Sequence, residues 1–218
     1  DEVNFVVLAS ETFNLTNQGR SVQQSIDEGI AIAEGCASDG IAFSLTVGAA
    51  FGCPFEGTVP HDNVLRIIDA FAGTGCAELS LADTIGVAAP RDIIALTRAI
   101  RDVLPDLPMR GHFHNTRNTG LANAYAACMA GFASLDASLG GIGGCPFASS
   151  ATGNIPTEDL VYMLERNGEP TGRDIGSMLA DISWLEALLG HKTPGMLSKS
   201  GYFPPSTGCT RRPVAARN

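Results

Sequence analysis

IAFSLTVG, residues 41–48, is a short, nearly continuous apolar run that follows Gly40 and leads into a second small-residue turn. Runs of this length bounded by turn residues read as buried strands. Four more segments share the pattern: VNFVVLA (3–9), CAELSLA (76–82), MRGHFHN (109–115) and ASLDASL (133–139). Between them the apolar residues recur with helical spacing. Strand and helix therefore alternate, which predicts parallel strands, buried on both faces, joined by crossover helices. Five successive βα units fit either an open doubly wound sheet or part of an eight-unit barrel.

The helices have readable ends. Ser21 with Gln24 three residues on forms a capping box, opening a helix that carries Ile26, Ile30 and Ala33 and stops near Gly35. A second starts near Pro60, carries Val64, Ile67, Ile68 and Phe71, and ends at Gly73. Pro90 suits the first turn of a third, with Ile93, Leu96 and Ile100 along one stripe. A small-residue helix over 119–130 closes at Gly131, and further helices are expected at about 157–167 and 174–189. Residues 1–190 thus read as one α/β domain and 191–218 as an irregular tail.

Composition narrows the function. The 218 residues are 44% hydrophobic, enough for one core of respectable size, and the net charge of −9 argues against nucleic acid. No run reaches the length of a membrane span and no signal peptide is visible, so a soluble protein is expected. Cys36, Cys53, Cys76, Cys128, Cys145 and Cys209 form no CxxC pair, which suits a reducing compartment.

His112 and His114 occupy alternate positions at the end of the fourth strand, so both face one side, where α/β active sites sit. Two neutral imidazoles there could hold a divalent cation; the alternative is a structural pair. The loop GGIGGCPFASSATGN (140–154) places five glycines around Cys145, which suits a thiol on a lid that closes over a ligand. Such a thiol can serve as a general acid. A nucleotide-binding reading of GGIGG fails because Pro146 follows and no helix opens there. Asn154 offers an amide oxygen to a hard cation, or else turns the loop. Asp83, leading into TIG, is a site candidate or the anchor of an Asx-type turn. Glu78 is expected to pair within the wall, and Glu56 to be a solvated loop carboxylate.

Taken together, ASETFN, FGCPFEG, ELSLADTIGVAAP, HFHNTRNTGLAN, DASLGGIGGCPFASSATGN and TEDLVYML resemble the 3-hydroxy-3-methylglutaryl-CoA lyase family, within the metal-dependent TIM-barrel lyases and Claisen-type synthases. The HxH pair is shared across that group, whereas GGCPF followed by ATGN and TEDLVYML marks the lyase branch. The resemblance implies a (β/α)8 TIM barrel of which this chain carries about the last five units. It also implies cleavage of a 3-hydroxy-3-methylacyl-CoA with Mg²⁺ or Mn²⁺. On that pattern His112, His114 and Asn154 match metal ligands. Cys145 matches the proton-transferring loop cysteine, and Ser80, Asp83 and Thr116 fall in the substrate site, with His112 or Asp83 as proton acceptor. An acyl-CoA substrate, a homo-oligomer and a cytoplasmic location, or the mitochondrial matrix in a eukaryote, are the matching expectations.

The chain departs from the family in two places. The family motif reads His-x-His-Asp-Thr, whereas here Asn115, Thr116 and Arg117 follow His114, which raises citramalyl-CoA or a longer branched 3-hydroxyacyl-CoA as an alternative substrate. About three N-terminal βα units, with an Arg-Asp segment that supplies a carboxylate ligand, are also expected but not found. A condensing enzyme of the same group and a non-catalytic fragment are the remaining alternatives.

Overall fold

The computed structural model describes residues 1–144 and 153–203. Five strands, β1 (Glu2–Leu8), β2 (Ala42–Gly48), β3 (Glu78–Asp83), β4 (Met109–Phe113) and β5 (Ser134–Asp136), pair in sequence order in one sheet. All four pairings are parallel. The helices are α1 (Glu11–Gln18), α2 (Val22–Asp39), α3 (His61–Ala70), α4 (Pro90–Arg101), α5 (Gly120–Met129), α6 (Thr157–Arg166), α7 (Ile175–Leu189) and the short α8 (Leu197–Ser200). Sequential order with helical crossovers is the topology of a barrel wall, not of a doubly wound sheet, whose strand order reverses.

Local sequence accounts for the ends of these elements. Ser21 and Gln24 form the expected reciprocal capping box. The helix runs past Gly35, however, to Asp39. Gly40, at φ 69°, ends it by donating to the Ala37 and Cys36 carbonyls, and a glycine inside a long amphipathic helix is outweighed by the packing on either side. The expectation of an end near Gly35 is corrected accordingly. Likewise α3 ends at Ala70, before Gly73. Helix α1 was not anticipated; Ser10 caps it by accepting from the Phe13 amide.

The strands differ from expectation in a way that matters for function. Only one face is apolar: Phe43, Leu45, Val47, Leu79, Leu81, Met109 and Phe113 are all buried. They form the core with Ile26, Val64, Ile67, Leu96 and Ile100 from the helices. Each such side chain contributes about 1.5–3 kcal/mol. The alternate positions on the other face are mostly polar, Asn4, Ser44, Thr46, Glu78, Ser80, Arg110, His112, Ser134 and Asp136 beside Val6, Leu8 and Ala82, and the registers align them in rows. They bond to one another: Asn4 to Ser44 at 2.8 Å, Thr46 to Asn4 at 2.9 Å, and Ser134 to Glu78 at 2.8 Å. Glu78 also pairs with Arg110, the wall partner expected for it. The apolar runs looked two-sided because small serines and alanines interrupt them, but the face toward the barrel axis is polar.

In the expected tail, residues 193–197 are fixed against the end of the domain. Glu186 accepts from the Thr193 amide and hydroxyl and pairs with Lys192, while Asp159 accepts from the Met196 and Leu197 amides.

Candidate active site at the C-terminal strand ends

His112 lies on β4 and His114 just beyond it. Past the glycine-rich loop the chain returns to the same place: Asn154 forms an isolated antiparallel bridge with His114. The Asn115 amide donates to the Gly153 carbonyl at 3.0 Å and the Ile155 amide to the Phe113 carbonyl at 3.2 Å. Residues 40 positions apart are thereby brought side by side by backbone pairing alone. The His112 and His114 rings are 5.3 Å apart between centroids, close enough for one small cation to touch both.

The buried polar atoms point to that use. His114 is only 5% exposed, yet its Nδ1 has no hydrogen-bond partner among the described residues. The Asn154 Oδ1 is in the same condition, although its Nδ2 donates to the Ile142 carbonyl at 3.1 Å. Leaving a buried acceptor unmade costs about 1–3 kcal/mol, so such orphans call for a ligand or a water. Burial, reinforced by the neighbouring His112, holds the His114 pKa down to about 4. Its ring is therefore neutral near pH 7, the form that binds metals. Two imidazoles and an amide oxygen suit a divalent cation of borderline hardness. No group of three His, Cys, Asp or Glu side chains able to hold a metal occurs among the described residues, so His112, His114 and Asn154 could supply only part of a coordination shell.

Other expected residues sit nearby in differing roles. Ser80 is buried on the polar face, in the same row as Arg110. Asp83 lies at the end of β3 on the opposite alternation, and its two oxygens accept from the Val87 and Ala88 amides at 2.9 and 3.0 Å. That is the loop-anchoring arrangement. Burial pushes its pKa up against the pull of those amides and of Arg117. Arg117 donates to the Ile85 and Gly86 carbonyls at 2.9 and 3.1 Å, so its charge ties the β3 loop to the β4 loop. Thr116 packs against Gly86; a Cβ on Gly86 would fall 2.8 Å from the His114 carbonyl oxygen and 3.0 Å from the Thr116 Cβ. Glu56 is exposed, as expected, but also accepts from the Thr12 amide. Cys145 lies outside the described residues.

One carboxylate at the site was missed. Asp136 Oδ2 stands 3.2 Å from His112 Nδ1, because the two residues are Cα partners across β4 and β5. The only signal in the sequence was an aspartate in a strand-like run, and its partner depended on register.

A parallel β/α wall in sequential strand order, with imidazoles and a buried amide gathered at its C-terminal rim, is the wall of a (β/α)8-barrel protein. Comparison with known proteins specifies the family. The chain belongs to the HMGL-like family, whose model matches residues 1–184. It is 45% identical over 199 residues to (R)-citramalyl-CoA lyase of Chloroflexus aurantiacus, covering 91% of this chain and 63% of that protein. To hydroxymethylglutaryl-CoA lyase YngG of Bacillus subtilis it is 38% identical over 190 residues, covering 85% and 62%. The structure of an HMG-CoA lyase from Acinetobacter baumannii, in complex with coenzyme A and 3-methylmalate, superposes with a TM-score of 0.87 at 39% identity, covering 97% of this chain and 68% of that one. The chain thus spans about three-fifths of the length of these two curated relatives. No described helix is long and apolar enough to cross a membrane.

Proposed function

We propose that the protein carrying this chain is a divalent-metal-dependent carbon–carbon lyase that cleaves 3-hydroxy-3-methylglutaryl-CoA to acetyl-CoA and acetoacetate. The observation that carries this reading is a pair of buried atoms without a partner among the described residues, His114 Nδ1 and Asn154 Oδ1, bridged beside His112 at the C-terminal end of a barrel wall. With them, His112 completes the part of the shell that this chain supplies for Mg²⁺ or Mn²⁺. When bound, such an ion supplies Lewis-acid polarisation of the substrate hydroxyl.

The chain's own residues divide the remaining work. Asp83, held by two backbone amides, fixes the loop that packs on residues 114–116. Because the Asp83 carboxylate lies on the alternation opposite the polar face, His112 is the acceptor of the hydroxyl proton when the cation rests on His114 and Asn154. Ser80 and Thr116 border the substrate, and Cys145 delivers a proton to the departing enolate carbon. A homo-oligomer in the cytoplasm or mitochondrial matrix is the matching assembly and location.

A second reading is favoured by the 45% identity to a citramalyl-CoA lyase and by Arg117 in place of the family's residue after His-x-His-Asp-Thr. In that reading the substrate is citramalyl-CoA and the products are acetyl-CoA and pyruvate. The test is to assay the purified protein with Mn²⁺ against both thioesters. Cleavage abolished by EDTA is expected, and acetoacetate or pyruvate identifies the substrate. Condensation without cleavage would move the protein to the synthases, and inertness toward both would remove the lyase reading. Cys145→Ser should lower kcat by orders of magnitude while leaving Mn²⁺ binding nearly intact.

A further inference from the structure

The two histidines are supported unequally. The His114 Nδ1 has no partner among the described residues, whereas the His112 Nδ1 faces the Asp136 carboxylate at 3.2 Å. That contact is built into the sheet: the parallel register pairs Arg110 with Ser134 and His112 with Asp136, so both carboxylate and imidazole stand in one row of the polar face. Arg110, on the same face, is engaged by Glu78 and by Glu2 at 3.6 Å, and the Asp136 carboxylate faces the imidazole. A carboxylate accepts and cannot donate when ionised, so the neutral ring must present an N–H to it. The opposite nitrogen, Nε2, then carries the lone pair.

We infer that Asp136 is a positioning residue for His112: it keeps the proton of the neutral ring on Nδ1 and fixes the ring plane, so that Nε2 is offered as a lone pair to the barrel interior. Carboxylates that orient metal-binding imidazoles act in this way, and their loss typically weakens metal binding 10- to 100-fold. This inference rests on the proposed cation site for its consequence, but not for its first observable.

Two measurements on the full protein test it. The first is the tautomer of His112 by ¹⁵N NMR of histidine-labelled, metal-free protein at pH 8. The unsubstituted protein should show the proton on Nδ1, and Asp136→Val should shift it toward Nε2. Valine suits a strand position, so the fold is expected to survive; Asp136→Ala provides a second variant, judged by the same shift. The second is Mn²⁺ affinity followed by EPR, which should fall 10- to 100-fold in either variant. An unchanged tautomer, or an unchanged Mn²⁺ affinity despite a changed tautomer, would overturn the positioning role. If the unsubstituted protein binds no Mn²⁺, the cation reading fails, and the tautomer shift alone decides whether Asp136 orients the ring.

Discussion

His114 and Asn154 are bridged backbone to backbone, and each buries one polar atom that no described residue satisfies. Replacing Asn154 by Ala removes its hydrogen bond to the Ile142 carbonyl, a loss of about 1 kcal/mol. The effect on metal should be much larger than the effect on folding. Mn²⁺ affinity is expected to fall at least about tenfold, measured by EPR titration beside a thermal melt.

The protonation of His114 gives a pH signature. Its pKa falls from 6.5 to about 4 on folding, so between those values the unfolded chain binds the proton that the folded one refuses. This contribution to stability is complete above pH 6.5, declines as the pH drops toward 4, and is constant below. In the metal-free protein the His114 ring should titrate near 4 by NMR, and His114→Gln should flatten the decline in stability between pH 6.5 and 4. A midpoint near 6.5 would show that the ring is solvated.

Gly86 is a packing test of the same region. It sits at φ 61°, with the His114 carbonyl 2.8 Å from where a Cβ would be. Gly86→Ala must accept left-handed backbone and displace the β4 loop, a cost of about 2 kcal/mol. Mn²⁺ binding should weaken too, because the moved carbonyl belongs to a proposed ligand. Calorimetry and the EPR titration together check both effects.

The contacts that fix residues 193–197 should be acid-sensitive. The Lys192 ammonium, with the Thr193 amide and hydroxyl, holds the Glu186 pKa down to about 2 from 4.5. A lowered carboxylate pKa contributes stability above 4.5 that is lost as the pH falls toward 2. The protection factor of the Thr193 amide, corrected for the intrinsic pH dependence of exchange, should therefore fall across that window, and Glu186→Gln should remove that fall.

Much of this was legible in the residues. Period and turn chemistry located every strand within a few positions, and the capping box at Ser21 and the stripe Ile93, Leu96, Ile100 appeared as expected. The pairing of His112 with His114 followed from alternation alone. Pairing partners were not legible, because register is a property of two strands: Asp136 beside His112 and Asn154 beside His114 emerge only when β4, β5 and the returning chain are aligned. The end of α2 was misplaced for a related reason. Gly35 and Gly40 look alike in sequence, and the choice was made by the carbonyls of Cys36 and Ala37.

The division of each strand into an apolar and a polar face also governs how this site can change over generations. Sliding β4 by one residue would drive Arg110 and His112 into the helices and push Met109 and Phe113 into the channel. The greasy side therefore acts as the memory of the alignment, holding His112 opposite Asp136 without touching either. Substitutions on the channel side can then alter what is recognised while leaving the coordinates of every other side chain where they were. A family built this way can drift from one thioester to another by editing one face and inheriting the other.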